Sequence, residues 1–220
     1  MTSAADHPPD RRVRRNRRQL QNALVDLLLE RPYDELTIDL ITDRADVARA
    51  TFYAHYRDKD ALLASVTEHL VEELTAEVLP LALEGANPVR VDAAVAIYTN
   101  AARQRSLWLA LLGGAGNGRP LRRLGDLMAQ AAQQVFEHRI QEAGNTPRFP
   151  VEAQARAWVG ELLGLLGWWL ETGWDRTPEE MGRLHVELGL YGHAWAEGFE
   201  PGQIHIDDSS LGTISRRSRR

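Results

Sequence analysis

The 220 residues contain no cysteine, which excludes disulfides, thiol catalysis and cysteine-ligated zinc or iron–sulfur centres. A formal charge of -5 argues at first sight against a nucleic-acid partner, and no apolar run approaches the roughly 18 residues that a membrane span needs. The N-terminus lacks the apolar stretch and cleavage site of a secretory signal, so the expected location is the cytoplasm.

The net charge conceals an uneven distribution. Up to Asp60 eleven Lys and Arg balance eleven acids, and six arginines crowd between Arg11 and Arg18, so the acidity belongs to the later part of the chain. Such a run reads in two ways: a solvated tail, or a positive arm that approaches phosphates while the acidic body stays clear.

Taken in chain order, the pattern is helical almost throughout. Leu20, Ala23, Leu24, Leu27 and Leu28 fall on one face of a first helix that Pro32 ends. Thr37 is placed to cap a short second helix with Ile38, Ile41 and Ala45 inward, and a third short helix runs from Ala48 to about Tyr56. Asp58 caps a fourth, carrying Leu62, Val66, Leu70 and Leu74, which Pro80 and the Gly85 to Pro88 segment bring to an end. Longer amphipathic stretches follow at about 89–104, 107–112, 120–143, 151–172 and 178–198, the last opened by Thr177 as cap and Pro178 at the first helical position. The polar segment from Phe199 onward is expected to hold little order beyond an extended stretch at Ile204 to Ile206. The expected fold is all-α, about nine helices: an N-terminal tail at 1–10, a three-helix helix-turn-helix domain at 11–60, a larger helical bundle at 61–198 and a C-terminal tail at 199–220.

Two short helices joined by a tight turn and braced on both sides form the unit that places a helix in the major groove. In the third helix Val47 and Phe52 point inward, which leaves Arg49, Thr51, Tyr53 and His55 on or near the outer face. Arginine holds guanine by paired hydrogen bonds, threonine offers a hydroxyl and a methyl, and tyrosine and histidine donate to phosphate. Lys59, the only lysine, stands in the first turn of the fourth helix, where free N–H groups already favour an anion.

The segment from Thr37 to Leu63, TIDLITDRADVARATFYAHYRDKDALL, resembles the helix-turn-helix signature of the TetR family: the opening threonine, Thr51-Phe52-Tyr53, Tyr56 three residues later, and Lys59 followed by Leu62-Leu63. The resemblance implies recognition-helix contacts at Arg49, Thr51, Tyr53 and His55 and phosphate contacts at Thr37 and Lys59. Asp46 stands where the family commonly has glycine, and Ala48 where a capping serine or threonine is common. Aspartate tolerates a left-handed backbone, and its carboxylate is placed to cap the next helix. Under this reading Arg14, Arg15, Arg17 and Arg18 reach the adjacent minor groove; the solvated-tail reading stays open beside it.

The resemblance further implies a divergent C-terminal domain that binds a small-molecule inducer and dimerises through its last two long helices. From the residues, Val159 to Leu170 and Met181 to Trp195 are apolar on more than one face, as helices shared between a domain and a partner copy must be. Gly160, Gly164, Gly167, Gly189 and Gly192 would permit close approach there. Tyr98, Trp108, Met128, Phe136, Trp158 and Trp168 are candidates to line a pocket, with core packing as the competing role. His138, His185 and His193 are too scattered for a metal site, no cofactor is expected, and the common catalytic motifs are missing, so the chain does not read as an enzyme. The expected function is a sequence-specific regulator, a homodimer that represses from a palindromic operator until an inducer releases it. An activator of the same fold, or a helical interaction protein that does not bind DNA, are the alternatives.

Overall fold

The computed structural model describes residues 8–85, 89–113, 118–173 and 175–197, with side chains from residue 11 to residue 192 and at residue 197 within those ranges. The expected stretch at Ile204 to Ile206, the tail at 199–220 and the side chain of His193 lie outside the described residues. Nine α-helices and one short 3-10 turn are present among the described residues, and no strand: α1 (Pro8–Glu30), the turn Tyr33–Glu35, α2 (Ile38–Ala45), α3 (Arg49–His55), α4 (Lys59–Leu83), α5 (Val91–Arg103), α6 (Arg105–Leu112), α7 (Arg119–Glu142), α8 (Val151–Thr172) and α9 (Pro178–Ala196).

Helix starts follow side-chain chemistry. Thr37 Oγ1 accepts from Leu40 N at 3.2 Å, and Asp58 Oδ1 accepts from Ala61 N at 2.7 Å, each satisfying an otherwise orphaned N–H. At α9 a reciprocal capping box forms: Glu180 N donates to Thr177 Oγ1 and Thr177 N donates to Glu180 Oε2. The turn between α2 and α3 rests on Asp46, which adopts the left-handed conformation at φ 52°, ψ 50° and is the one described non-glycine residue with positive φ. Its carboxylate does not cap α3, contrary to expectation. The cap position is Ala48, which makes no side-chain bond.

Two helices run further than expected. α1 extends back to Pro8, so the arginine run lies on a continuous helix and α1 reaches into the segment expected to be a tail. α4 passes through Pro80 to Leu83. Near a C-terminus the proline forfeits a single hydrogen bond, and the last turn is held from outside: Arg139 Nε and Nη2 donate to the Ala82 carbonyl at 3.1 and 2.7 Å.

The apolar face of α1 (Leu20, Leu24, Leu27) packs with Ile41, Phe52, Tyr56, Leu62 and Leu63, all buried in one cluster. That cluster continues through Leu70 and Leu74 of α4 into Tyr98, Trp108, Leu124, Leu162 and Leu166. α4 is the shared element: it packs on α1 near its start and on α5 and α7 further along, while α5 packs closely on α9, α7 on α8, and α6 on α1. The core of the small three-helix unit and that of the larger bundle are therefore continuous.

Candidate nucleic-acid interface and interior cavity

Phe52 is fully buried and anchors α3, while Tyr53 on the adjacent spoke is 49% exposed. Arg49 and Ala50 are exposed beside it, and Thr51 and His55 are half-buried on the flanks. Arg49 Nη2 donates to the Tyr53 hydroxyl at 3.3 Å and its Nη1 to Asp39 Oδ1 of α2 at 2.7 Å, and Tyr53 first, then Asp39, raises the guanidinium's already high pKa. Both side chains are thus aligned on one outward face before any partner arrives. Burial, then the nearby Arg17, lowers the pKa of His55 and favours its neutral form, a donor and acceptor rather than a cation.

Thr37 is exposed, and since its oxygen accepts from Leu40 its proton remains available to a phosphate. Lys59 behaves differently from expectation. Its ammonium donates to the carbonyls of Tyr33 (3.0 Å), Asp34 (3.4 Å) and Leu36 (2.9 Å) and sits 4.6 Å from the Tyr33 ring centre. Three donors meet three carbonyls, so Lys59 closes the 3-10 turn and does not project as a phosphate clamp. Arg14, Arg15, Arg17 and Arg18 are exposed on helical α1, with Arg17 Nε 3.5 Å from the Tyr56 hydroxyl. A helix presents them to a phosphate ridge; it does not track a narrow groove as an extended arm would.

A connection to the larger bundle lies at the same turn. The Tyr33 hydroxyl donates to Asp60 Oδ1 at 2.6 Å, and Arg119 at the start of α7 donates to both Asp60 oxygens at 3.0 and 3.2 Å. These bonds, Tyr33's first and Arg119's next, hold the Asp60 carboxyl below its usual range.

Between α4, α5, α7, α8 and α9 and the connection 145–149 lies a cavity of about 920 Å³ that opens to the surface, at the upper end of the size of small-molecule sites. Its wall is mostly apolar and includes three of the expected pocket residues, Met128, Phe136 and Trp158. The Phe136 and Trp158 rings meet edge-on at 6.1 Å, and Trp158 meets His185 at 5.5 Å. The other three expected residues lie elsewhere. Trp108 is fully buried in the core with Nε1 donating to Asn100 at 3.2 Å; Tyr98 packs behind the wall, 5.6 Å from the ring of Trp169; Trp168 is 44% exposed on the outside of α8. Among the wall residues that sequence reasoning did not single out are two polar ones, His185 and Arg139. Both were legible in the register: His185 stands one turn after buried Met181, and Arg139 one turn after Phe136. His185 is buried with neither ring nitrogen hydrogen-bonded, although Nδ1 lies 3.5 Å from Glu161 Oε1, and burial pushes its pKa down to about 4. The described residues hold no cluster of metal-ligating side chains and no helix long and apolar enough to cross a membrane.

Comparison with known proteins agrees with this arrangement. Residues 21–66 match the family model described as bacterial regulatory proteins, tetR family. The HTH-type transcriptional regulator YxbF of Bacillus subtilis is 42% identical over 66 residues, a stretch that is 30% of this chain and 17% of that protein. Among solved structures, a TetR-family transcriptional regulator from Syntrophomonas wolfei superposes with a TM-score of 0.65 at 19% identity, covering 79% of this chain and 92% of the other. NalD of Pseudomonas aeruginosa, the secondary repressor of the MexAB-OprM multidrug efflux pump, superposes with a TM-score of 0.59 at 20% identity, covering 80% and 96%.

Proposed function

We propose that this chain, whose residues 21–66 match the model of the tetR family of bacterial regulatory proteins, is a dimeric cytoplasmic repressor of that kind, released from operator DNA by a small molecule held in the bundle cavity. The observation that carries this reading is the outward face of α3, where Arg49 and Tyr53 are aligned by Asp39 over a buried Phe52. A helix presented in this way reads base edges, while Thr37 and the arginines of α1 supply phosphate contacts.

α8 and α9 support the dimer. Trp168, Leu190 and Tyr191 are 44%, 54% and 48% exposed, and Gly160, Gly164 and Gly167 have no neighbour within 4 Å of where a side chain would begin. An open apolar surface with small residues along one helix suits a second copy, and two copies place two copies of α3 about 34 Å apart on successive major-groove faces. Ligand control follows through α7. This helix of 24 residues contributes Met128 and Phe136 to the cavity and Arg119 to the Asp60 contact, so its displacement by a ligand moves the DNA-reading unit. A ligand that fits the splayed dimer better releases DNA, and one that fits both shapes equally shifts nothing.

Arg49→Ala should weaken binding to the selected operator by about 10- to 100-fold, the worth of one bidentate base contact, and leave binding to unrelated duplex within about two-fold. Gel-shift titration of both duplexes checks this, and equal loss on both would remove Arg49 from base reading.

A further inference from the structure

The charge of the cavity wall is unlike that of the molecule around it. In a chain with 31 acidic and 26 basic residues, the described wall contains Arg90, Arg139 and Arg148 and no aspartate or glutamate. Arg90 is neutralised from behind by Glu84 and Asp92, neither of which lines the cavity. Arg139 is not. Its guanidinium is half-buried, its hydrogen bonds go to the Ala82 carbonyl, and no carboxylate lies within ion-pair distance of it among the described residues. Burial first, then the neighbouring Arg90, lowers its pKa, the signature of a cation short of a counterion. Taking a guanidinium partly out of water without an anion is costly, and the cost is recovered when an anion arrives.

One turn before Arg139 on α7 stands Phe136, which meets Trp158, which in turn meets His185. The wall is thus ordered from a cationic end at Arg139 along an aromatic and aliphatic track to a buried imidazole that burial keeps neutral.

We infer that the ligand of this cavity is an amphipathic anion, an apolar chain or ring system bearing one acidic group, with its acid on Arg139 and its apolar body along Phe136 and Trp158. The inference rests on the reading that the cavity is the regulator's ligand site, and it specifies what enters. Arg139 supplies two kinds of selectivity: it attracts the acid, and it repels a cationic amphiphile of the same length.

The test is calorimetric titration of the full chain, below the micellar range, with three probes whose alkyl tails agree to within one methylene: decanoate, decan-1-ol and decyltrimethylammonium. Decanoate is expected to bind at least ten-fold more tightly than decanol, about 1.4 kcal/mol, and decyltrimethylammonium more weakly than either. In Arg139→Gln the preference for decanoate over decanol should vanish while decanol binding stays within two-fold. Arg139→Lys, which keeps the charge and a donor for Ala82, should retain part of the preference, and thermal melts of both variants check that they fold. Equal binding of decanoate and decanol by the unmodified chain, or a preference that survives in a folded Arg139→Gln variant, overturns the anion assignment and leaves the cavity reading standing. No binding of any probe overturns both.

Discussion

Gly182→Ala is expected to destabilise the protein by roughly 1–2 kcal/mol. Gly182 is buried on α9, and a Cβ there would stand 2.6 Å from Val95 Cγ2, 2.7 Å from Val95 N and 2.8 Å from Val95 Cα of α5. A flexible side-chain end could step aside; a backbone nitrogen and Cα inside a helix cannot, so α9 as a whole must move off α5. Overpacking of this kind costs about 1–3 kcal/mol, occasionally more, set against the gain of nearly 1 kcal/mol that alanine brings to a helix interior. In a chain of this size that lowers Tm by about 2–8 °C. Gly125→Ala on α7 is the control, because a Cβ there meets only the Leu163 Cδ1 side-chain end at 3.7 Å, an ordinary van der Waals contact. Thermal unfolding followed by circular dichroism compares the two, and a Gly182→Ala variant as stable as the parent would mean that α5 and α9 do not approach this closely.

His185→Phe is expected to flatten the acid limb of the stability profile. A histidine whose pKa is 6.5 in the unfolded chain and about 4 when folded binds its proton mainly in the unfolded state. Its contribution is intact above pH 6.5 and is lost progressively as pH falls towards 4, amounting to about 3 kcal/mol at most at 1.36 kcal/mol per pKa unit. Burial is the cause of the shift, while the Glu161 carboxylate, 3.5 Å from Nδ1, draws in the other direction; Tyr98 and Trp158 are the other groups around the ring. Phenylalanine keeps the ring volume, removes two nitrogens that lack hydrogen bonds, and at pH 7 should leave stability equal or higher by about 1 kcal/mol. Urea unfolding of both proteins between pH 4 and 7 reads the difference. Parallel profiles would mean that His185 is not held neutral.

What the chain reveals on reading depends on whether the determinant is local. Caps at Thr37, Asp58 and Thr177 are chemistry between residues three apart, and each forms as expected. The left-handed turn at Asp46 is likewise local. Pro80 misleads because its effect on α4 is decided by Arg139, 59 positions later, which holds the carbonyl of Ala82 in the last turn. Lys59 is legible as a lysine at a helix start, but its direction is set by three carbonyls of a turn more than twenty residues earlier. The aromatic candidates divide for the same reason: Trp108, Trp158 and Trp168 all occupy helices, and only packing decides which is core, which is cavity wall and which is surface. Among the glycines, the sequence offers Gly160, Gly164, Gly167, Gly189 and Gly192 for close helix approach, yet within the protomer it is Gly182 against which a neighbouring helix is pressed.

The central claim, that α3 reads DNA as one half of a dimer, is tested most directly by selecting bound duplexes from a random library with the purified protein at near-physiological salt and sequencing them. The account predicts enrichment of a palindrome whose half-sites lie about one helical turn apart. Recovery of no shared motif, with only weak binding that salt abolishes, would contradict it.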